Sequence, residues 1–218
     1  MPLIQGIVNP LPSQSLPDSV SPVAALAGKS GELIAAELHG KYFTQTYRGN
    51  MYDYGTPLAG VTLTTTGSTT QTFGILNPAG SGRLIVPVKA CIGQVGTLTV
   101  SALAWTVKQN LGTGVAGTSP FVTATFVTAL NANSSLVGNV GVARLISTCT
   151  LDAAPTVKRY LGLSWGAPTA AGVTFNPQLT DEFDGNTIIG PGSMLFLSGS
   201  LATGGATNVS LTWYECPQ

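Results

Sequence analysis

The densest group of side chains able to do chemistry is the acidic run Asp181-Glu182-Phe183-Asp184. Three carboxylates within four residues, helped by loop carbonyls, are a candidate Ca²⁺ site made of Asp181, Glu182 and Asp184. The spacing departs from the EF-hand loop, and no bidentate Glu follows at the required distance. The competing reading is a solvated acidic turn ahead of the next strand. Paired acids also suggest glycoside hydrolysis, but that reaction needs two carboxyl groups about 5–10 Å apart on either side of a bond. Neighbours on one loop are poorly placed for that.

Other catalytic patterns are missing. The only histidine is His39, and no G-x-S-x-G elbow supplies a nucleophile for it. Gly28-Lys29-Ser30 matches the end of a phosphate-binding loop, but Val23 stands where its first glycine belongs. The glycine-rich stretch Asn110 to Pro120 follows a strand pattern, yet no helix opens after it to offer a dipole to a phosphate. The cysteines Cys91, Cys149 and Cys216 are odd in number and lack CxxC spacing. They read as reduced thiols packed like small apolar residues, as in a reducing cytoplasm. Trp105, Trp165 and Trp213 are widely spaced and read as packing residues. Asn133 and Asn208 head glycosylation sequons, a pattern too short to carry weight. The expectation is therefore a non-enzyme with no cofactor.

Composition agrees. Charged residues make up 8 % of the 218 residues and formal net charge is zero, against about 25 % charged in ordinary domains. No basic stripe exceeds Lys158-Arg159, so nucleic-acid binding is not expected. No apolar run is long enough to span a bilayer, so no membrane partner is expected, and the N-terminus lacks the basic region of a signal peptide. Ser, Thr, Gly and Asn replace the missing charge. Ordering such short side chains at an interface costs little entropy, which suits a subunit packed against neighbours.

Two regions organise the chain. Residues 1–27 carry Pro2, Pro10, Pro12, Pro17 and Pro22 and one charge, Asp18. They read either as an extended docking arm, with Leu3, Ile4, Ile7, Val8, Leu11 and Leu16 as interface anchors, or equally as a floppy terminus. Residues 28–218 read as one antiparallel β-sandwich. Gly28 to Lys41 fits a short helix or a strand, with the strand preferred, and Tyr42-Phe43-Thr44-Gln45-Thr46-Tyr47 continues as strand. Strands are expected at Val61–Thr66, Thr72–Leu76, Arg83–Ile92, Thr97–Lys108, Phe121–Thr128, Gly141–Thr150, Asn186–Ile189, Met194–Leu201 and Val209–Glu215. Gly/Pro turns separate them. Pro87 implies an edge or a bulge. Pro191-Gly192 implies a type II turn. Met194-Leu195-Phe196-Leu197 is apolar on both faces, either at a contact between subunits or inside one chain.

Four segments resemble, in the same order, a group of virion structural proteins of tailed bacteriophages. They are Glu37 to Tyr52 (ELHGKYFTQTYRGNMY), Thr72 to Arg83 (TFGILNPAGSGR), Glu182 to Ser193 (EFDGNTIIGPGS) and Ser210 to Glu215 (SLTWYE). The resemblance implies a jelly-roll-like fold and a place in the virion after synthesis in a bacterial cytoplasm. It implies no catalytic residues. The expected function is an auxiliary capsid (decoration or head-stabilising) protein. The expected partners are other copies of the chain, in threes, and major capsid, neck or tail subunits. Alternatives are a receptor- or carbohydrate-binding domain of a fibre or spike, built around Asp181–Asp184 and Trp165, and a depolymerase.

Overall fold

The structure is a computed structural model. It describes residues 41–95, 101–109, 121–136, 138–164, 178–200 and 206–218, of which 44, 94–95, 101, 121–122 and 163–164 in backbone only, and the backbone of 5–7 and 22–24. In chain order the elements are β1 (Gln5–Ile7), β2 (Pro22–Ala24), α1 (Phe43–Tyr47), β3 (Met51–Gly55), β4 (Thr70–Gln71), β5 (Gly74–Leu76), β6 (Arg83–Val95) and β7 (Ser101–Gln109). Then come β8 (Phe121–Val127), β9 (Leu130–Asn131), a 3₁₀ turn (Ser134–Leu136), β10 (Arg144–Leu151), β11 (Thr156–Ser164), β12 (Leu179–Glu182), β13 (Ser193–Gly199) and β14 (Ala206–Pro217).

The chain is all-β, with every strand pair antiparallel. One sheet runs β11-β7-β13-β5-β10-β4, with β8 on the far side of β10; the other runs β12-β6-β14-β3-β9. Their facing sides share one core of Leu103, Trp105, Leu195, Leu197, Ile85, Ile92, Leu211 and Trp213, among others, as in a β-sandwich. The pairing is nested: β3 with β14, β5 with β13, β6 with β12, β7 with β11. The segment holding β8, β9 and β10 is inserted between β7 and β11. It adds β9 beside β3 and β10 beside β5, so it extends both sheets on the same side.

A second cluster lies on the other face of the larger sheet: Leu76, Ile146, Cys149, Leu151, Met194 and Phe196. A register shift between Ile146 and Thr148 brings Cys149 and Leu151 to the same face as Ile146, which an unbroken alternation would not. β13 is thus buried on both faces within one chain. Its continuous apolar run needs no neighbouring subunit. At Gly74 any Cβ would collide with the Phe196 ring and the Leu195 carbonyl, so a glycine lets β5 and β13 close together.

The turn chemistry follows the sequence. Ser193 N–H donates to Gly190 O at 3.0 Å, and Gly192 has φ 78°, as a Pro-Gly type II turn requires. Asn77 ties this turn to the Asn77–Gly82 turn. Fully buried, its Nδ2 donates to Arg83 O and Ile189 O while its Oδ1 accepts from Ser81 Oγ. Pro87 sits at a bulge, because Thr212 pairs with Lys89 and Trp213 with Pro87, skipping Val88. It is not on an edge strand, since β6 lies between β12 and β14.

Three strand expectations need correction. Residues 43–47 form a turn of helix. Phe43 stacks on Tyr47 at 5.8 Å, the Thr46 hydroxyl donates back to Tyr42 O, and Gly49 at φ 73° ends the turn. Val61–Thr66 contributes only bridges, at Val61 and Thr65, and Asn186–Ile189 only one, Ile189 with Ile85. Both are short crossings held by isolated bridges. The preferred strand over Gly28–Gly40 lies outside the described residues. Among the described residues no helix is long and apolar enough to cross a membrane.

Candidate functional site

Asp181, Glu182 and Asp184 do not converge. β12 is an edge strand of the smaller sheet, so its side chains alternate between core and solvent. Asp181 points into the gap between the sheets. Its Oδ2 accepts from Trp105 Nε1 at 2.7 Å and from the Arg159 guanidinium. Glu182 is exposed on the opposite side. Asp184 lies past the strand in a turn, at φ 46°, and pairs with Lys41 at 2.9 Å, which raises the Lys41 pKa. The run was expected to be a cation loop or a solvated turn. Its first two residues are instead strand. Among the described residues no three His, Cys, Asp or Glu side chains are grouped to hold a metal ion.

What Asp181 builds is a latch between the sheets. Trp105 on β7 and Arg159 on β11 belong to the larger sheet, while Asp181 and Phe183 come from the β12 end of the smaller. The Arg159 guanidinium stacks over the Phe183 ring at 4.9 Å, and Phe183 tilts against Trp105 at 5.2 Å. Asp181 keeps 14 % of its side-chain surface and Arg159 28 %, so the pair is only partly open to water. The carboxylate has a cation and an indole N–H as fixed partners. Through them one carboxylate fastens β12 to both β7 and β11.

A second buried carboxylate was not among the candidates singled out from the sequence. Glu215, near the end of β14, is 2 % exposed. It accepts from Val142 N at 2.8 Å, Ala143 N at 3.0 Å and Trp213 Nε1 at 3.4 Å. Gly141 makes this approach possible, because a Cβ there would run into the carboxylate. The strand pattern around Trp213 places residue 215 inward, and an inward Glu is the clue that alternation alone offers.

The remaining candidates resolve as packing or fall outside. Trp105 and Trp213 are buried in the core. Cys149 is buried and its pKa is pushed up to about 11 by burial, while Cys91 and Cys216 are free thiols of intermediate exposure. Of the arm anchors, Ile7 pairs through its backbone with Pro22, in a two-stranded ladder of β1 and β2. Leu3, Ile4, Val8, Leu11 and Leu16 lie outside the described residues. So do His39, Trp165, Gly28–Ser30 and the 110–120 loop.

The outer face of the smaller sheet carries a cavity of about 570 Å³ lined by Gly55, Cys91, Gly93, Asn208 and Ser210. Short side chains leave it broad, and among the described residues it gathers no acid–base pair. No protein-family description, characterised protein or solved structure matches the chain.

Proposed function

We propose that this chain is a non-enzymatic structural subunit of a tailed-phage virion, an auxiliary capsid protein with a jelly-roll body. Copies associate in threes, and residues 1–27 dock on major capsid, neck or tail subunits. The observation that carries the reading is the nested strand pairing. A jelly roll is a long antiparallel hairpin wound into two facing sheets. Its first strand then pairs with its last, the second with the next to last, and so inward. The pairs β3 with β14, β5 with β13, β6 with β12 and β7 with β11 follow that order.

The chemistry supports the same reading. Asp181, with 14 % of its side-chain surface exposed, and Glu215, 2 % exposed, hold neighbouring strands and loops together. Two of the three tryptophans that a sugar platform would use are in the core. Association then rests on apolar and backbone contacts, as the low charge requires.

The test is particle incorporation. Full-length chain is expected in density-banded particles of its phage at a stoichiometric copy number. Deleting residues 1–27 should leave the circular dichroism of the body intact and remove the chain from particles. Absence of the full chain from particles, or normal incorporation of the truncation, overturns the virion role or the arm role respectively.

A further inference from the structure

The larger sheet ends in two strands of opposite character. At one end β11 carries Lys158 and Arg159, two register shifts, and Gly162 at φ 139°. Charges and bulges on an edge prevent another strand from adding to it. At the other end β8 (FVTATFV) pairs, among the described residues, with β10 alone. It has no charge, proline or glycine. No Asp, Glu, Lys or Arg occurs anywhere between Lys108 and Arg144. Of the two register shifts in the β8–β10 pair, one skips Val122 on β8 and the other puts its extra residue, Ser147, on β10, so β8 itself runs without an inserted residue from Thr123 to Val127. Thr123 and Thr125 are exposed, and Phe126 is 42 % exposed. Phe126 and Val127 also border a cavity of about 330 Å³ of mixed polarity, with Thr128, Val140, Ala143 and Arg144.

The sequence of β8 names the occupant. FVTATFV is nearly the same read from either end about Ala124. We propose that β8 pairs antiparallel with β8 of a second copy, across a two-fold axis through Ala124. In that register each Thr123 meets a Thr125 of the other copy. Thr–Thr is a favourable cross-strand pair, it occurs twice, and an isologous contact must be self-complementary in this way. The pairing joins two larger sheets into one continuous sheet and removes the uncharged edge from water. A three-fold contact uses a different surface, so an assembly with both contacts holds an even number of chains. The contact stands apart from the virion reading: chain mass tests the one, particle incorporation the other.

The experiment is light scattering on the full chain over a concentration series. The expected mass is twice the 22.2 kDa chain, or another even multiple. Thr123→Lys/Thr125→Lys sets like charges opposite each other twice and should raise the dissociation constant about tenfold or more. Thr123→Lys/Thr125→Glu sets Lys opposite Glu twice and should restore the wild-type mass. A monomer or an odd multiple for the wild type, or a Lys/Glu variant as dissociated as the Lys/Lys one, overturns the proposal. If the Lys/Lys variant fails to fold, hydrogen exchange of the wild type decides. Protection of 123–127 that grows with protein concentration supports the contact, and protection independent of concentration overturns it.

Discussion

Two carboxylates pin opposite sides of the sandwich, and they are satisfied in different ways. Asp181, on the side of β11 and β12, holds a cation and an indole N–H and links one sheet to the other. Glu215, on the side of the insert, holds two backbone amides and an indole N–H, all neutral. The first is a paired charge whose partner is itself partly buried. The second is a lone charge in a cradle of N–H dipoles. In a chain with so few ionisable groups, both are used to hold segments together, but they should fail differently. Removing Asp181 strands a guanidinium. Removing Glu215 strands only amides and opens a space.

The largest expected effect is therefore at the latch. Asp181→Ala leaves Arg159 without its counter-ion, and Arg159 Nε already has no partner. Breaking a buried ion pair by losing one member costs about 3–5 kcal/mol. The partial exposure here reduces that to about 2–4 kcal/mol of unfolding free energy, measured by urea denaturation. Asp181→Leu combined with Arg159→Met should recover most of the loss, because no charge is left stranded. Simple additivity of Asp181→Ala and Arg159→Met would mean that the two sides of the latch act independently, which the geometry does not allow.

On the insert side the sharper probe is the glycine. Gly141→Ala puts a methyl group where the Glu215 carboxylate lies, and should cost about 1–3 kcal/mol by forcing that carboxylate or its loop to move. Gly55→Ala, whose Cβ meets nothing within 4 Å, is the control and should be nearly neutral. Glu215→Ala loses the amide acceptor, at about 1–3 kcal/mol, and should make the Gly141 change harmless. If Gly141→Ala costs the same with and without Glu215, the close approach does not limit packing there.

The alkaline limb separates the sides again. Cys149 lies on β10, in the insert, and burial pushes its pKa up to about 11, from an ordinary value near 9.0. The folded pKa is raised, so this contribution is complete below pH 9.0 and fades as pH rises through about 11. Over that window the wild type should lose about 1–2 kcal/mol more stability than Cys149→Ala. Tyr52 and Tyr54, also raised by burial, fade in both proteins and cancel in the comparison. Equal alkaline slopes for the two proteins would show that the thiol is not desolvated in solution.

The sequence made the long strands legible because alternation and Gly/Pro turns are local signals. β6, β7, β8, β13 and β14 lie where the pattern placed them. The Pro191-Gly192 turn and the Pro87 bulge were legible for the same reason, since proline and glycine restrict φ by themselves. Which strands pair was not legible, because the register depends on contacts far apart in sequence. The helical turn at 43–47 was missed for a related reason. Thr and aromatic residues favour strands on average, but a ring stack and one back-bonded hydroxyl settle a single turn. The site was least legible. In Asp181-Glu182-Phe183-Asp184 three acids look alike in one dimension. The pleat sends one inward and one outward, and the turn carries the third away.

That separation gives the smallest prediction and the cleanest contrast. Asp184 is the same residue type as Asp181, three positions on, and it also has a cationic partner, Lys41. Here, however, the side chains keep 64 % and 68 % of their surface, so water and salt screen the attraction. Lys41→Met should leave the thermal midpoint unchanged within error at physiological salt. What Asp184 supplies is backbone: φ 46° followed by Gly185 at φ 75° turns the chain toward Ile189, and Asp and Asn tolerate that left-handed region where most residues do not. Asp184→Asn should therefore be neutral, and Asp184→Val destabilising, although both remove the same charge. Should Lys41→Met and Asp184→Asn each lower the midpoint as much as Asp184→Val, the ion pair and not the backbone would hold the turn, and depth of burial would no longer separate the two aspartates.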